Sequence, residues 1–458
     1  MIDRHGVIWT RIGGRPIKMA NLVVTSKENR ISYTKEFLDS GLPGFSLLAD
    51  PDTVQQNALI WTSTELRYFH PRLMAMVPPQ SQGNFQRRIY SEMLARRPVP
   101  PAPGIETEWE MLLLSAKDGI GHLDVFEDDI KAAEWYRAAD REPDPMLHGS
   151  RSKIWNSVRN EIRQISNGTD NMESLSGIFG GTPTAGGMIS KILVAIPDPS
   201  KTDWHGEFVV HHGKRVAEQF VDVIIKIEDP QYTGLMDLEG LCLDVHREAG
   251  FEVPRHWRVN IDDMQLLAIE RFDRTPSGAP IPFESLMSVF AAGSKRIQTS
   301  QDVLWTEVGE NVAKLGQVSN LDVRATQQTL FRRLAYALMT GNGDMHLDNI
   351  GLLGGKRDLA LSPVYDPAPM RAWSRHNMRM SIPIEFDHET SVYAQIAATA
   401  TAFGMTEKQG REFLLDAAEK TKDYCERVMA LKNVPEERRL SLVGQVQRER
   451  EELENAWM

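Results

Sequence analysis

Gly341-Asn342-Gly343-Asp344-Met345-His346-Leu347-Asp348-Asn349 is the stretch that decides the fold class of this chain. It follows an apolar run, Phe331 to Met339, whose spacing predicts a helix, and precedes Ile350-Gly351-Leu352-Leu353, which predicts a short strand. Gly354-Gly355-Lys356-Arg357 then turns the chain into a second expected strand, Leu359 to Tyr365, which ends at Asp366. A carboxylate at Asp344, an amide at Asn349 and a second carboxylate at the end of a hairpin are thereby held at a fixed separation. Oxygen donors of this kind suit a hard cation such as Mg²⁺ and the phosphates that accompany it.

Protein kinases place their base, their metal-ligand amide and their metal-ligand carboxylate in this order. Phosphoryl transfer needs little covalent help from the protein and much positioning of charge. On this basis Asp344 is expected to be the base facing an acceptor hydroxyl, and Asn349 and Asp366 the metal ligands. His346 is expected to brace the loop by hydrogen bonding and is counted with the nucleotide-side residues.

Working upstream, Lys226 lies in the apolar strand Ile224-Ile225-Lys226-Ile227, where a lysine must reach a sheet edge or find an anion. The next expected helix, about Asp237 to Ala249, offers Glu239, and a strand lysine paired with a helix glutamate is how kinases hold the α- and β-phosphates of ATP. Lys226 and Glu239 are therefore grouped with Asp344 as catalytic candidates. Ahead of that strand runs Gly180-Gly181-Thr182-Pro183-Thr184-Ala185-Gly186-Gly187-Met188-Ile189-Ser190-Lys191, where glycines would let backbone N–H groups close on phosphate oxygens. Thr184, Ala185, Gly186, Gly187 and Lys191 are the candidate phosphate contacts.

The whole chain has 458 residues, 41% hydrophobic and 25% charged, which excludes a small stapled scaffold and a disordered chain. Its 63 acidic against 52 basic residues give a formal net charge of −11, so nucleic acid is not the default partner, and DNA is expected only indirectly, through a partner. Two cysteines, Cys242 and Cys425, are too few for a disulfide framework or a Cys-x-x-Cys metal site. The first residues, Met1-Ile2-Asp3-Arg4-His5, carry no signal pattern, and no apolar run approaches membrane-spanning length, so a cytoplasmic, reducing location without membrane contact is expected.

Along the chain, residues 1–130 read as a small α+β module, 131–274 as a linker and β-rich ATP lobe, and 275–458 as a helical catalytic lobe. The arginines Arg87, Arg88, Arg96 and Arg97 are read as a solvated helix face, and the Arg- and Glu-rich segment from Glu436 to Glu454 as an exposed, salt-bridge-laced helix.

Together these motifs resemble the HipA family of bacterial serine/threonine kinases, toxins of type II toxin–antitoxin pairs. The likeness runs through Leu112-Leu113-Leu114-Ser115 to Phe126, Thr184 to Lys191, Ile225-Lys226-Ile227, Glu239 to Pro254, Ile269-Glu270-Arg271-Phe272-Asp273-Arg274, Asp344-x-His346-x-x-Asn349 and Ser362-Pro363-x-Tyr365-Asp366. Met188-Ile189-Ser190 departs from the family pattern. The resemblance implies an α+β, bilobal protein-kinase-like fold with an N-terminal subdomain, ATP and Mg²⁺ as cofactors, and a protein substrate with a serine or threonine acceptor. It further implies backbone contacts to adenine from Glu270 and Phe272, autophosphorylation at Thr184 that switches the kinase off, and a helix-turn-helix antitoxin partner. Two other functions remain open on the residues: a pseudokinase-like nucleotide-binding regulatory protein, and a metal-dependent phosphoesterase built on Asp344-x-His346-x-Asp348.

Overall fold

Alternating apolar residues build the first sheet. Strands β1 (Arg4–Thr10), β2 (Ile17–Val24), β3 (Glu28–Tyr33), β4 (Ala58–Thr62) and β5 (Asp124–Phe126) pair antiparallel in the order β4-β3-β2-β1-β5. The computed structural model describes residues 3–457 except 52–53, 55–57, 65–66, 81–83, 140–154, 156–188, 203, 207–208, 212–219, 262–263, 300 and 386–389, and every statement below concerns the described residues. The expected phosphate contacts Thr184, Ala185, Gly186 and Gly187 lie outside them.

Ile8, Ala20, Leu22, Val24 and Ile31 of the first sheet pack against Tyr90 and Leu94 of the helix Phe85–Ala95 and Trp109 and Leu112 of the helix Ile105–Ser115. Each such fully buried large side chain stabilises the module by roughly 2 kcal/mol. The arginines expected to be a solvated face are tied down instead: Arg87 pairs with the buried Glu108, Arg97 with Glu110 at 2.6 Å, and Arg96 with Glu92 at 2.9 Å. Glu92 is one turn back on the same helix, whereas Glu108 and Glu110 sit on the next one, where no single-helix pattern reveals them.

The second sheet runs β7-β6-β8-β10-β9, with β6 (Lys191–Pro197), β7 (Val210–His211), β8 (Phe220–Ile227), β9 (His256–Ile261) and β10 (Met264–Glu270), again antiparallel. One face, Ile192, Val194 and Ile196 with Val221, Val223, Ile225, Ile227, Leu266 and Ala268, buries a core with Trp155 and Trp204. Strand β9 was not anticipated; its outward residues Arg258 and Asn260 are exposed, as suits an edge strand, and mask its alternation.

The chain divides into two compact units, Met1–Tyr232 with Arg255–Glu284, and Thr233–Pro254 with Ser285–Met458. Strand β11 (Phe283–Ser285) is where the chain passes from the first to the second. The second unit is largely helical and includes Leu235–Glu248, Trp305–Leu315, Val323–Thr340, Glu407–Lys420 and Glu436–Asn455. Its hairpin joins β12 (Gly351–Leu353) to β13 (Ala360–Leu361), with Leu352 opposite Leu361. The second strand is shorter than the expected Leu359 to Tyr365 because Pro363 has no N–H to give the ladder, and beyond it the Val364 N–H donates to the Glu252 carbonyl.

No helix among the described residues is long and apolar enough to cross a membrane. Cys242 is buried and Cys425 half-buried; both are free, and burial pushes the Cys242 thiol up to about 12.

The buried His246 donates from Nδ1 to the Cys242 carbonyl at 2.7 Å and lies against Phe251 and Tyr336, and burial lowers its pKa to about 4. Between that value and the unfolded value of about 6.5 the unfolded chain binds the proton and the folded chain does not. Stability is therefore present above about pH 6.5 and falls as the pH drops towards 4, by at most roughly 1.4 kcal/mol per pH unit for this side chain. Urea midpoints measured from pH 7 to 4 should show this fall, and His246→Gln should reduce it, the rest coming from the buried His70 and His122, whose pKa values burial lowers to about 3.

Candidate functional site

The helix Val323–Thr340 is started by Asp322, whose side chain accepts from the Ala325 N–H, and stopped by Gly341 at φ 71°, a conformation that favours glycine. The loop that follows is held by its own polar groups. Asn342 Oδ1 accepts from the Asp344 N–H at 3.0 Å, and the Asp344 carbonyl accepts from the His346 N–H at 2.9 Å and from Asn349 Nδ2 at 2.9 Å. His346 Nδ1 accepts from the Asp348 N–H at 3.2 Å, which places the ring proton on Nε2, 3.9 Å from Asp344 Oδ1. The Asp344 side chain is 47% exposed and so reachable by an acceptor group. His376 also feels the Asp344 carboxylate, although burial and Arg375 hold its pKa below the ordinary value.

The hairpin returns to this loop. The Tyr365 hydroxyl donates to the Asp348 carbonyl at 2.7 Å, and Ser285 Oγ donates to Asp348 Oδ1 at 3.2 Å. Burial, with Asp366 and Asp348 nearby, pushes the Tyr365 hydroxyl far up, so it remains a donor. Asp366 follows at φ 51°, in the left-handed region that few non-glycine residues adopt. From the helix side, the buried Arg333 donates to the Ser362 carbonyl; burial lowers its pKa to about 10, which leaves it charged at neutral pH.

The second sheet carries a different arrangement on its other face. Lys191 of β6 lies directly opposite Lys226 of β8, and Lys226 opposite Leu267 of β10, which in turn faces Arg258 of β9. The next row on the same face is Leu193, Ile224, Ile269 and His256. Both lysines are buried, at 5% and 3% exposure. Two buried ammonium groups opposite each other call for anionic charge beside them, and the apolar row next to them offers a flat surface to a ring.

Among the expected adenine contacts, Glu270 ends β10; its N–H donates to the Arg255 carbonyl at 2.9 Å, and its carboxylate takes both Nε and Nη2 of Arg255, at 2.7 and 2.8 Å. Phe272 packs edge-on to Phe283. The charges around it are structural: Arg271 binds Asp273 through Nε and Nη2, at 3.0 and 2.8 Å, and the Asp118 and Gly119 carbonyls, while Arg274 binds Asp118 at 2.9 Å. These arginines fasten the turn before β5 to the strand that ends at Glu270. Glu239 is buried in the helix Leu235–Glu248 of the second unit, whereas Lys226 belongs to the first.

The second unit thus gathers Asp344, His346 and Asn349 in one loop followed by Asp366, and the first unit sets Lys191 beside Lys226. Missed by the sequence reading were the contacts of Arg333, Tyr365 and the pair Arg371 and Glu449, whose partners are 29, 17 and 78 residues away along the chain. Asn349 fits Mg²⁺: its Nδ2 is spent on the Asp344 carbonyl, which leaves Oδ1, a hard donor, for a cation. Among the described residues no group of three or more His, Cys, Asp or Glu side chains is placed to hold a metal, and a Mg²⁺ held by Asn349 and Asp366 would keep waters and phosphate oxygens as its other ligands.

Comparison with known proteins agrees with this architecture. The protein named "Putative kinase Y4dM" of Sinorhizobium fredii is 32% identical over 157 residues, covering 31% of this chain and 36% of that protein. A protein of Haemophilus influenzae named "Putative kinase" is 29% identical over 149 residues, 31% of this chain and 43% of its own. The aligned part therefore spans well under half the length of these relatives. A chain from the complex of Shewanella oneidensis MR-1 toxin–antitoxin HipA, HipB and operator DNA superposes with a TM-score of 0.66, covering 98% of this chain and 99% of that one at 16% identity, which shows a shared fold. The model of the HipA-like C-terminal domain matches residues 184–425, more than half of the 458. With the loop, hairpin and paired lysines in place, the chain belongs to the family defined by that HipA-like C-terminal domain.

Proposed function

We propose that this protein is a Mg-ATP-dependent serine/threonine protein kinase of the HipA type. The observation that carries the proposal is the loop Asp344–Asn349, in which the Asn349 amide, with a spare oxygen, is bonded to the backbone carbonyl of Asp344, whose own carboxylate is solvent-reachable, and which Asp366 follows. Bound Mg²⁺, held by Asn349 and Asp366, would supply neutralisation of phosphate charge. Asp344 orients the acceptor hydroxyl and takes its proton as the oxygen attacks the γ-phosphorus and ADP departs. Lys226 and Lys191 bind the phosphates, Glu239 supports the lysine, and the apolar row Leu193, Ile224 and Ile269 receives the adenine, with Glu270 and Phe272 at the strand end. His346 holds the loop on the nucleotide side.

The rest of the proposal follows the family. The organisation is a 1–130 subdomain, a 131–274 ATP lobe and a 275–458 catalytic lobe. Thr184 is the autophosphorylation site in a phosphate loop that includes Ala185, Gly186 and Gly187. A helix-turn-helix antitoxin is the partner through which DNA is reached, and two unpaired thiols suit a cytoplasmic location.

Incubation of purified protein with γ-labelled ATP and cell extract tests this: label on serine or threonine of a protein acceptor is expected, and label released only as inorganic phosphate would favour a hydrolase. Lys191→Met should raise the KM for ATP about 10- to 100-fold, the loss of one charge-assisted contact, with a smaller effect on kcat. An unchanged KM would remove Lys191 from the phosphate site.

A further inference from the structure

The loop carrying Asp344 rests on a buried ion cluster that belongs to the C-terminal helix. At Gly343 there is no room for a side chain: a Cβ would fall on the Met378 carbonyl oxygen and within 3.2 Å of Arg371 Cγ. The Arg371 N–H reaches the Gly341 carbonyl at 3.4 Å. So the segment 371–378 forms the floor beneath the loop.

What fixes that floor is Glu449, on the helix Glu436–Asn455 and 1% exposed. Its Oε1 takes Nη1 of the buried Arg371 and Nε of Arg379, the latter at 2.9 Å, and its Oε2 takes the Tyr393 hydroxyl at 2.7 Å. Gln445, one helical turn earlier, accepts from Arg371 Nη2 at 2.9 Å, and Asn377 Oδ1 accepts from Arg371 Nε at 3.3 Å. All three guanidinium nitrogens of Arg371 are thus directed, and the side chain has no second orientation that keeps them bonded. A buried carboxylate shared by two arginines and a tyrosine is costly to assemble and expensive to break singly.

We infer that Glu449 is a positioning residue: through Arg371 it holds the 371–379 segment under Gly341–Asp344 and so sets the direction of the Asp344 carboxylate. The inference rests on the kinase reading for its catalytic consequence, but its structural part can be read without turnover. The backbone amides of Asn342, Asp344, His346 and Asn349 are all hydrogen-bonded, so amide exchange reports whether the loop is held.

The experiment compares Glu449→Gln, Glu449→Asp and the milder Tyr393→Phe, which deletes only one bond to the carboxylate, with Glu451→Gln, exposed on the same helix, as control. Amide exchange in peptides covering 341–349 is expected to rise about 10-fold in Glu449→Gln and by less in Tyr393→Phe, with little change for Glu451→Gln and partial rescue by aspartate. In phosphotransfer assays the same order should appear in kcat, with the KM for ATP changed less than 2-fold. Should Glu449→Gln fail to fold, Tyr393→Phe and Glu449→Asp decide. Unchanged exchange over 341–349 in the folded variants overturns the inference, as does a loss confined to KM. Wild-type protein that transfers no phosphate defeats the kinase reading alone, and the exchange data then still decide whether Glu449 holds the loop.

Discussion

Asp344→Asn will bind ATP with nearly wild-type affinity and transfer its γ-phosphate about 10²–10⁴ times more slowly, the span that a positioned general base contributes. The substitution suits the site. The Asp344 side chain is about half exposed, and its backbone carries the loop's bonds: its N–H goes to Asn342 and its carbonyl to His346 and Asn349. An amide of the same shape therefore leaves the loop intact while removing the proton acceptor. His346 Nε2 lies 3.9 Å from Asp344 Oδ1, beyond hydrogen-bond distance. Transfer of labelled phosphate, measured beside calorimetric ATP binding, separates the two effects. Wild-type turnover in the Asn variant would strip Asp344 of the base's role.

Asp366→Asn is expected to be the second severe loss, on the order of 10²–10⁴ in turnover, since a ligand to the cation supplies several kcal/mol of charge stabilisation. The backbone at this position, φ 51°, sharpens the test. Asparagine tolerates the left-handed conformation, whereas alanine is penalised by roughly 1–2 kcal/mol. Asp366→Asn should then keep the wild-type urea midpoint, and Asp366→Ala should lower it, although both lose activity. The two variants together separate the carboxylate's chemistry from the backbone's strain. Equal activity of the Asn variant and wild type at limiting Mg²⁺ would exclude Asp366 as a ligand.

Much of this was legible because the informative groups lie close in sequence. Asp344, His346 and Asn349 share one loop, and their spacing survives folding because the bonds that shape it are local. Strand and helix placement was likewise readable wherever periodicity was strong, as in β8 and the helix Leu235–Glu248. The hairpin's second strand was overextended because apolar residues continue past Pro363, where the chain leaves the ladder for a bond with Glu252. The helix Glu436–Asn455 was recognised as a helix, but its charges were read as an exposed, salt-bridge-laced face, and the burial of Glu449 was not recognised.

By itself the sequence determined most of the elements, though not β9 or the end of β13, together with the order of the motifs and the family they define, since each rests on contacts within a few residues or on a periodic pattern. Only the tertiary structure decided which charges are buried and what they face. Lys191 meets Lys226 through the register of two strands, and Glu449 meets Arg371 across 78 residues of chain. Burial and pairing of a charge depend on neighbours that are remote along the chain, and no local pattern distinguishes a glutamate bound for solvent from one that anchors a loop.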